Sequence, residues 1–317
     1  VHAALGESEE HAPVQSDDRP RPQRAVLIPV GLFLLTLLCT TALGSRVAFH
    51  FDRNLPGLDF LEDLNTFPEL LRRPELLLDG LSYSLTLLLI LLAHELGHYF
   101  ACRYHRVACT LPYFLPAPSF IGTFGAFIRF RSALKSRREL FDVGIAGPLA
   151  GFVFVLPALG IGLALSRIVP GLGGGAETRL GLPLLIQWLG AWIFPGARMI
   201  DLNMHPVARA AWVGLLATAL NLLPVGQLDG GHIVYSWLGE RHRWVSLAVI
   251  VMLGLMGFLF WPWFFWAGIL LLVGRRHFPV YDDQGLDRKR KILLVLIGLI
   301  FLLSFMPAPL LYTTPVQ

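Results

Sequence analysis

Leu85-Thr-Leu-Leu-Leu-Ile-Leu-Leu-Ala-His94-Glu95-Leu-Gly-His98-Tyr-Phe-Ala-Cys102 decides how the rest of the chain is read. It begins as an aliphatic run of the kind that faces lipid, then carries three titratable side chains within five positions. Ionisable groups at membrane depth are expensive and point to function by default. Residues four apart on a helix stand one above the other, so His94 and His98 can offer ring nitrogens to one cation. Glu95 lies beside the first of them, placed to take a proton from a water on that cation. This is the H-E-x-x-H pattern of zinc hydrolases. An idle match is tolerable in a polar helix. Inside an apolar one, the desolvation of a Glu and two His argues against it.

Composition agrees with the apolar setting. Mean hydropathy is +0.60, 55% of the 317 residues are hydrophobic and only 15% are charged, where a globular chain has about a quarter. The class expected is an all-α polytopic membrane protein, with about six to seven transmembrane helices and a short re-entrant β-hairpin-like segment. The net charge of +4 is spread between apolar runs, which excludes nucleic acid as a partner and leaves the lipid bilayer. Cys39, Cys102 and Cys109 form no C-x-x-C pair and are odd in number, so they read as free thiols.

Residues 1–24 mix acids, Pro, Gln and Arg without an apolar period, as expected of a disordered cytoplasmic tail. Residues 25–79 hold a first transmembrane helix (Ala25 to Gly44) and a non-cytoplasmic connector. Ala42-Leu-Gly44 also fits a signal-peptidase site, but the long tail and near-full span favour retention. Residues 80–280 form the intramembrane core. Gly80 to Cys102 is the second span, followed at once by Arg103, His105 and Arg106, which puts the histidines near the cytoplasmic end. Leu111 to Arg131 is apolar but broken by three prolines and two glycines, and Phe124 to Arg131 suggests strand or hairpin. It either folds back beside the metal helix or is an interfacial loop.

Val143 to Ser166 is the third span, in which the G-x-x-x-G spacing of Gly147 and Gly151 reads as helix packing. Leu182 to Phe194 is too short for a span and reads as interfacial. Pro206 to about Leu223 is the fourth. Val245 to Val273 is split by Trp261-Pro262-Trp263 into two short spans, or is one kinked helix. Residues 281–317 are a cytoplasmic basic loop and a last span from Ile292 to Met306. Tyr99 and Cys102 read as packing, and His205-Pro206 as a helix start. His105, His242 and His277 read as interface anchors, and His232 either way.

Two His need a third protein ligand. The best candidate is Asp229, in Asn221-Leu-Leu-Pro224-Val-Gly-Gln-Leu-Asp229-Gly-Gly-His232, another carboxylate at the cytoplasmic end of an apolar span. Pro224 and the glycines after it break the helix and can turn Asp229 toward the metal.

The paired motifs, His94-Glu-Leu-Gly-His98 and Asn221-x-x-Pro224-x-x-x-Leu-Asp229-Gly, resemble the site-2 protease family of intramembrane zinc metalloproteases. Gly122-Thr-Phe-Gly125 and Gly147-Pro-Leu-Ala-Gly151 add to a likeness covering about residues 80 to 280. The resemblance implies one Zn2+ per chain held by His94, His98 and Asp229, Glu95 as the general base, and Asn221 binding substrate backbone or the oxyanion. It also implies a transmembrane protein or peptide substrate, held in extended form by the strand of Gly122, Phe124, Gly125 and Ala126. The PDZ and cystathionine-β-synthase-type domains of other members have no counterpart in the motifs found. The expected location is a prokaryotic plasma membrane, with a plastid membrane second. The competing functions are an inactive scaffold or chaperone of the same fold, against which the intact motif speaks, and a metal transporter, which would want ligand layers at several depths.

Overall fold

The protein, seen as a computed structural model, is described over residues 24–55, 77–117, 121–174, 178–273 and 285–312, with a few positions between these stretches. The expected disordered tail, most of the connector after the first helix, and His277 lie outside the described residues.

The chain is mostly helical. Three helices are long and apolar enough to cross a membrane: α1 (Arg24–Arg53, its apolar part from Val26), α2 (Leu77–Tyr104) and α3 (Arg137–Ala164). α1 runs nine residues past the expected end at Gly44. Leu43, Val47 and Phe51, spaced by four, keep one buried face going through a stretch that looked polar. α3 starts six residues before Val143. Ser136 caps it by accepting from the Glu139 N–H at 3.1 Å, and Glu139 accepts in return from the Lys135 N–H at 2.9 Å, a variant of the capping box.

The shorter helices follow: α4 (Leu184–Ile193), α5 (Pro206–Asn221), α6 (Asp229–Leu238), α7 (His242–Met256), α8 (Pro262–Val273) and α9 (Arg288–Ser304). The apolar run from 245 to 273 is thus two helices that pack on each other, not one kinked helix. His205 starts α5 as expected, its Nδ1 accepting from the Val207 N–H. His242 is not an interface anchor. It is buried, with its Nε2 3.0 Å from the Ser246 hydroxyl, because the first turn of α7 faces the bundle despite Arg241 and Arg243 beside it.

α2 lies at the centre and packs on α1, α3 and α5. Leu87, Leu159, Ala208, Trp212 and Leu215 fill the space between them. Gly44 and Gly80 let α1 and α2 touch backbone to backbone, and Thr41 donates to Ser84 beside them at 2.9 Å.

Polar contacts tie the bundle at both ends. At the end where α2 stops and α3 and α9 start, Asp142 accepts from Arg290 Nε at 2.8 Å and lies 3.0 Å from His105 Nε2. At the opposite end the short antiparallel strands β3 (Arg167–Ile168) and β5 (Leu202–Asn203) pair. There β4 (Thr178–Leu180) also pairs with β6 (Leu310–Tyr312), beyond α9. Trp263, at the turn between α7 and α8, donates to the Pro307 carbonyl on this level.

The segment after α2 is the expected hairpin. β1 (Tyr113–Pro116) pairs antiparallel with β2 (Thr123–Phe127), with Tyr113 opposite Phe127 and an irregularity between Phe114 and Pro116. Phe114 is buried with its ring edge-on to Phe33, and Tyr83 of α2 donates to the Ile121 carbonyl at 3.1 Å. The hairpin is therefore covered by α1 and α2.

Candidate metal centre

Three ligand atoms from two distant parts of the chain converge. His94 Nε2 and His98 Nε2 lie 3.1 Å apart, and Asp229 Oδ2 is 3.2 Å from the first and 3.3 Å from the second. Metal–ligand bonds of about 2.0–2.1 Å in a tetrahedral site require ligand atoms about 3.3–3.4 Å apart. The three atoms thus form one face of such a tetrahedron, and the donor set of two imidazoles and a carboxylate suits zinc. His98 Nδ1 lies 2.8 Å from the Val143 carbonyl, which can only accept. Nδ1 therefore carries the proton, and the Nε2 lone pair points at the shared space.

The local sequence explains each placement. The two His are stacked by one turn of α2. Asp229 arrives because α5 stops at Asn221, and the chain turns through Leu222 to Leu228 before α6 begins with Asp229 itself. Gly226 takes a positive φ of 57° in that turn. Side chains at Gly230 and Gly231 would strike the carbonyls of Leu222 and Gly226, so the reversal is tight enough to need the glycine pair.

A cavity of about 160 Å³ opens beside the three atoms. It is lined by Glu95, which is buried, and by Asn221, whose Nδ2 is 3.4 Å from His94 Nε2. Ile128, just past β2, lines the same cavity beside Glu95. His232 lies at the wall, its ring edge-on to Phe130. Of the four residues expected to hold substrate, Ala126 lines this cavity. Gly122, Phe124 and Gly125 lie further along the strand, and Gly122 packs on Thr40 instead.

Sequence reasoning missed the role of Gly147 and Gly151. They permit close packing, as expected, but the surface they approach is the ligand pair. A Cβ on Gly147 would overlap His98 Nε2, and one on Gly151 would lie 3.2 Å from His94 Cβ. The signal was a shared spacing: glycines four apart on α3 run antiparallel to histidines four apart on α2. It becomes legible only once these two helices are known to face each other.

A family model described as Peptidase family M50 matches residues 82–261. The chain is 32% identical over 279 residues to a protein of Arabidopsis thaliana named "Probable zinc metalloprotease EGY2, chloroplastic", covering 83% of this chain and 47% of that one. It is 32% identical over 315 residues to "Probable zinc metalloprotease EGY1, chloroplastic" of the same plant, covering 92% and 55%. A rice protein (Oryza sativa subsp. japonica) bearing the EGY1 name is 29% identical over 308 residues, covering 92% and 52%. The chain spans about half the length of these curated relatives.

Proposed function

The chain belongs to peptidase family M50, and on that premise we propose that it is a zinc-dependent endopeptidase that cuts peptide bonds in or near transmembrane segments of membrane proteins. The observation that carries this is the tetrahedral face made by His94, His98 and Asp229 with the buried carboxylate of Glu95 beside it. A bound zinc ion supplies Lewis acidity and makes water a nucleophile near neutral pH. Glu95 takes the proton of the attacking water and returns it to the leaving amine. Val143 holds His98 in the tautomer that leaves Nε2 free to ligate. Asn221 presents an amide N–H that can steady the developing oxyanion or the substrate backbone.

A helical substrate hides its peptide bonds in its own hydrogen bonds and must unwind to react. β2 has a partner strand on one side only among the described residues, and Ala126 and Phe127 at its end line the cavity. Its free edge can pair with an unwound segment by β-augmentation and deliver it to Glu95.

The seven-span count rests on parity. Besides α1 to α3, the crossings are α5, α7, α8 and α9. β6 follows α9 and pairs with β4, which lies between α3 and α5. Three crossings after α5 bring residue 310 back to that side; a single kinked helix in place of α7 and α8 would leave it on the other. Most Lys and Arg then fall on the side of the metal centre, which makes that side cytoplasmic or its plastid equivalent. The relatives' names favour a plastid membrane over the prokaryotic one expected first. The transporter reading finds no support, since the described residues hold one such ligand cluster, at one depth.

The test compares zinc content and cleavage of a single-span model substrate between the protein and Glu95→Gln. Both forms should bind one zinc, with cleavage falling by about 10²–10⁴-fold in the variant. Equal cleavage by both overturns the assignment.

A further inference from the structure

A second cavity, of about 470 Å³ against about 160 Å³ at the metal centre, lies at the opposite end of the bundle. The residues from Arg209 to Asn221 on α5, at about 1.5 Å each, separate the two by roughly 18 Å. Nothing in the proposed hydrolysis uses it. Its wall is largely apolar, with Leu55, Leu180, Met199, Ile200, Met204 and Leu311. Two arginines line it, Arg179 from β4 and Arg209 from α5, together with Gln187 on α4, whose amide nitrogen donates to the Leu182 carbonyl. No carboxylate is among the described residues that line it. Arg179 Nε is buried and has no hydrogen-bond partner among the described residues. A buried donor without an acceptor is costly, and a charged one more so.

The height of the cavity narrows the ligand. α4, which supplies Gln187, also carries Trp188 and Trp192, both well exposed and with ring centroids 6.2 Å apart. Exposed Trp on a short apolar helix marks the headgroup level of a bilayer. A site at that level with two planar cations and an apolar wall suits a phosphate with a hydrocarbon attached. We propose that the cavity binds a phosphate-bearing anion through Arg179 and Arg209. The headgroup region of an anionic phospholipid from the non-cytoplasmic leaflet is the source that fits, and free phosphate is the soluble one. This site is independent of the protease reading and of zinc.

The test uses the full chain in nanodiscs of phosphatidylcholine with or without phosphatidylglycerol, followed by native mass spectrometry of retained lipid. A parallel arm measures the melting temperature in detergent against inorganic phosphate. The chain should retain phosphatidylglycerol in preference, and Arg179→Gln should cut that retention by roughly tenfold or more, with Arg179→Lys recovering part of it. A melting shift with inorganic phosphate alone, lost in Arg179→Gln, supports the same chemistry with the soluble ion as its source. Circular dichroism and the melting temperature without added phosphate report whether each variant has folded. If Arg209→Gln does not fold, Arg179→Gln decides alone. Equal retention of the two lipids with no phosphate effect overturns the proposal, as does unchanged selectivity in Arg179→Gln.

Discussion

Gly147→Ala should separate metal binding from folding in a way few substitutions can. The added methyl would overlap His98 Nε2 and lie 2.5 Å from the Cδ2 and Cε1 atoms of the same ring. Carbon atoms rest about 3.5 Å apart at the nearest, so the ring must retreat by roughly 1 Å. That retreat is cheap for the fold, because the obstacle is the far end of a side chain and not backbone. Alanine also gains about 0.8–1 kcal/mol over glycine inside a helix. For a metal site the same shift is severe, since bond lengths tolerate only about ±0.2 Å. Losing one of three protein ligands should cost at least the 10–100-fold in affinity that removal of a mere supporting residue costs. The assay is zinc retention under a graded chelator, read with the melting temperature of the chelator-stripped form. The expected result is a stripped form as stable as the parent or slightly more so, with zinc affinity down at least a hundredfold. Gly160→Ala, also inside α3 and with a Cβ that would meet nothing within 4 Å, should share the helix-propensity gain and leave zinc affinity at the parental value. Parental zinc affinity in Gly147→Ala would refute both the His98 ligand assignment and the helix contact behind it.

The free edge of β2 invites a backbone test: Ala126→Pro removes one N–H from the strand, and Phe124→Pro removes another. Cleavage of a membrane substrate should fall while zinc content holds, and unchanged cleavage would remove the strand from the mechanism. His205 offers a pH test at the other end. Burial pushes its imidazole below the usual range, with Arg167 adding to this and Asp52 opposing it. Neutral His205 accepts from the Val207 N–H at 3.3 Å and so caps α5. Because the folded form prefers the neutral ring, the cap contributes fully above the unfolded value of about 6.5 and is lost as pH falls through the lower folded one. The protection factor of the Val207 amide, its exchange rate relative to the unstructured rate at the same pH, should fall on acidification in the parent. It should lose that dependence in His205→Asn, which caps without titrating there.

What the sequence revealed depended on how local the cause was. His94, Glu95 and His98 declare themselves because their spacing and their desolvation are both written in one helix. The hairpin was legible for a similar reason: Pro112, Pro116, Gly122 and Gly125 deny the segment a helix, and membrane depth then leaves few alternatives. The break at Trp261-Pro262-Trp263 was readable as a turn between two helices, whereas nothing local announced β4 or β6. Those strands are three residues each, too short to show an alternation. The early start of α3 had a signal in Ser136-Arg-Arg-Glu139, which the surrounding basic charges disguised as loop. Arg241 and Arg243 hid the burial of His242 in the same way. Gly147 and Gly151 carry meaning only in the contact they make, and no single helix records its partner.

The two departures from helix at this depth, the β1–β2 hairpin and the turn from Leu222 to Leu228, meet at the same cavity. Each leaves backbone groups without regular partners, which lipid cannot satisfy. At the metal centre the His98 ring is held by the Val143 carbonyl of α3, and Ile128 at the end of the hairpin lines the cavity beside Glu95. The outer edge of β2 is left over, and under the proposed function it is where an unwound substrate would pair. Water for hydrolysis and a partner for extended peptide are both scarce in a bilayer and abundant where helices have been interrupted. Placing both interruptions beside the ligands supplies the two together. A continuous helical bundle carrying the same His94, His98 and Asp229 would bind the ion and have no way to present a peptide bond to it.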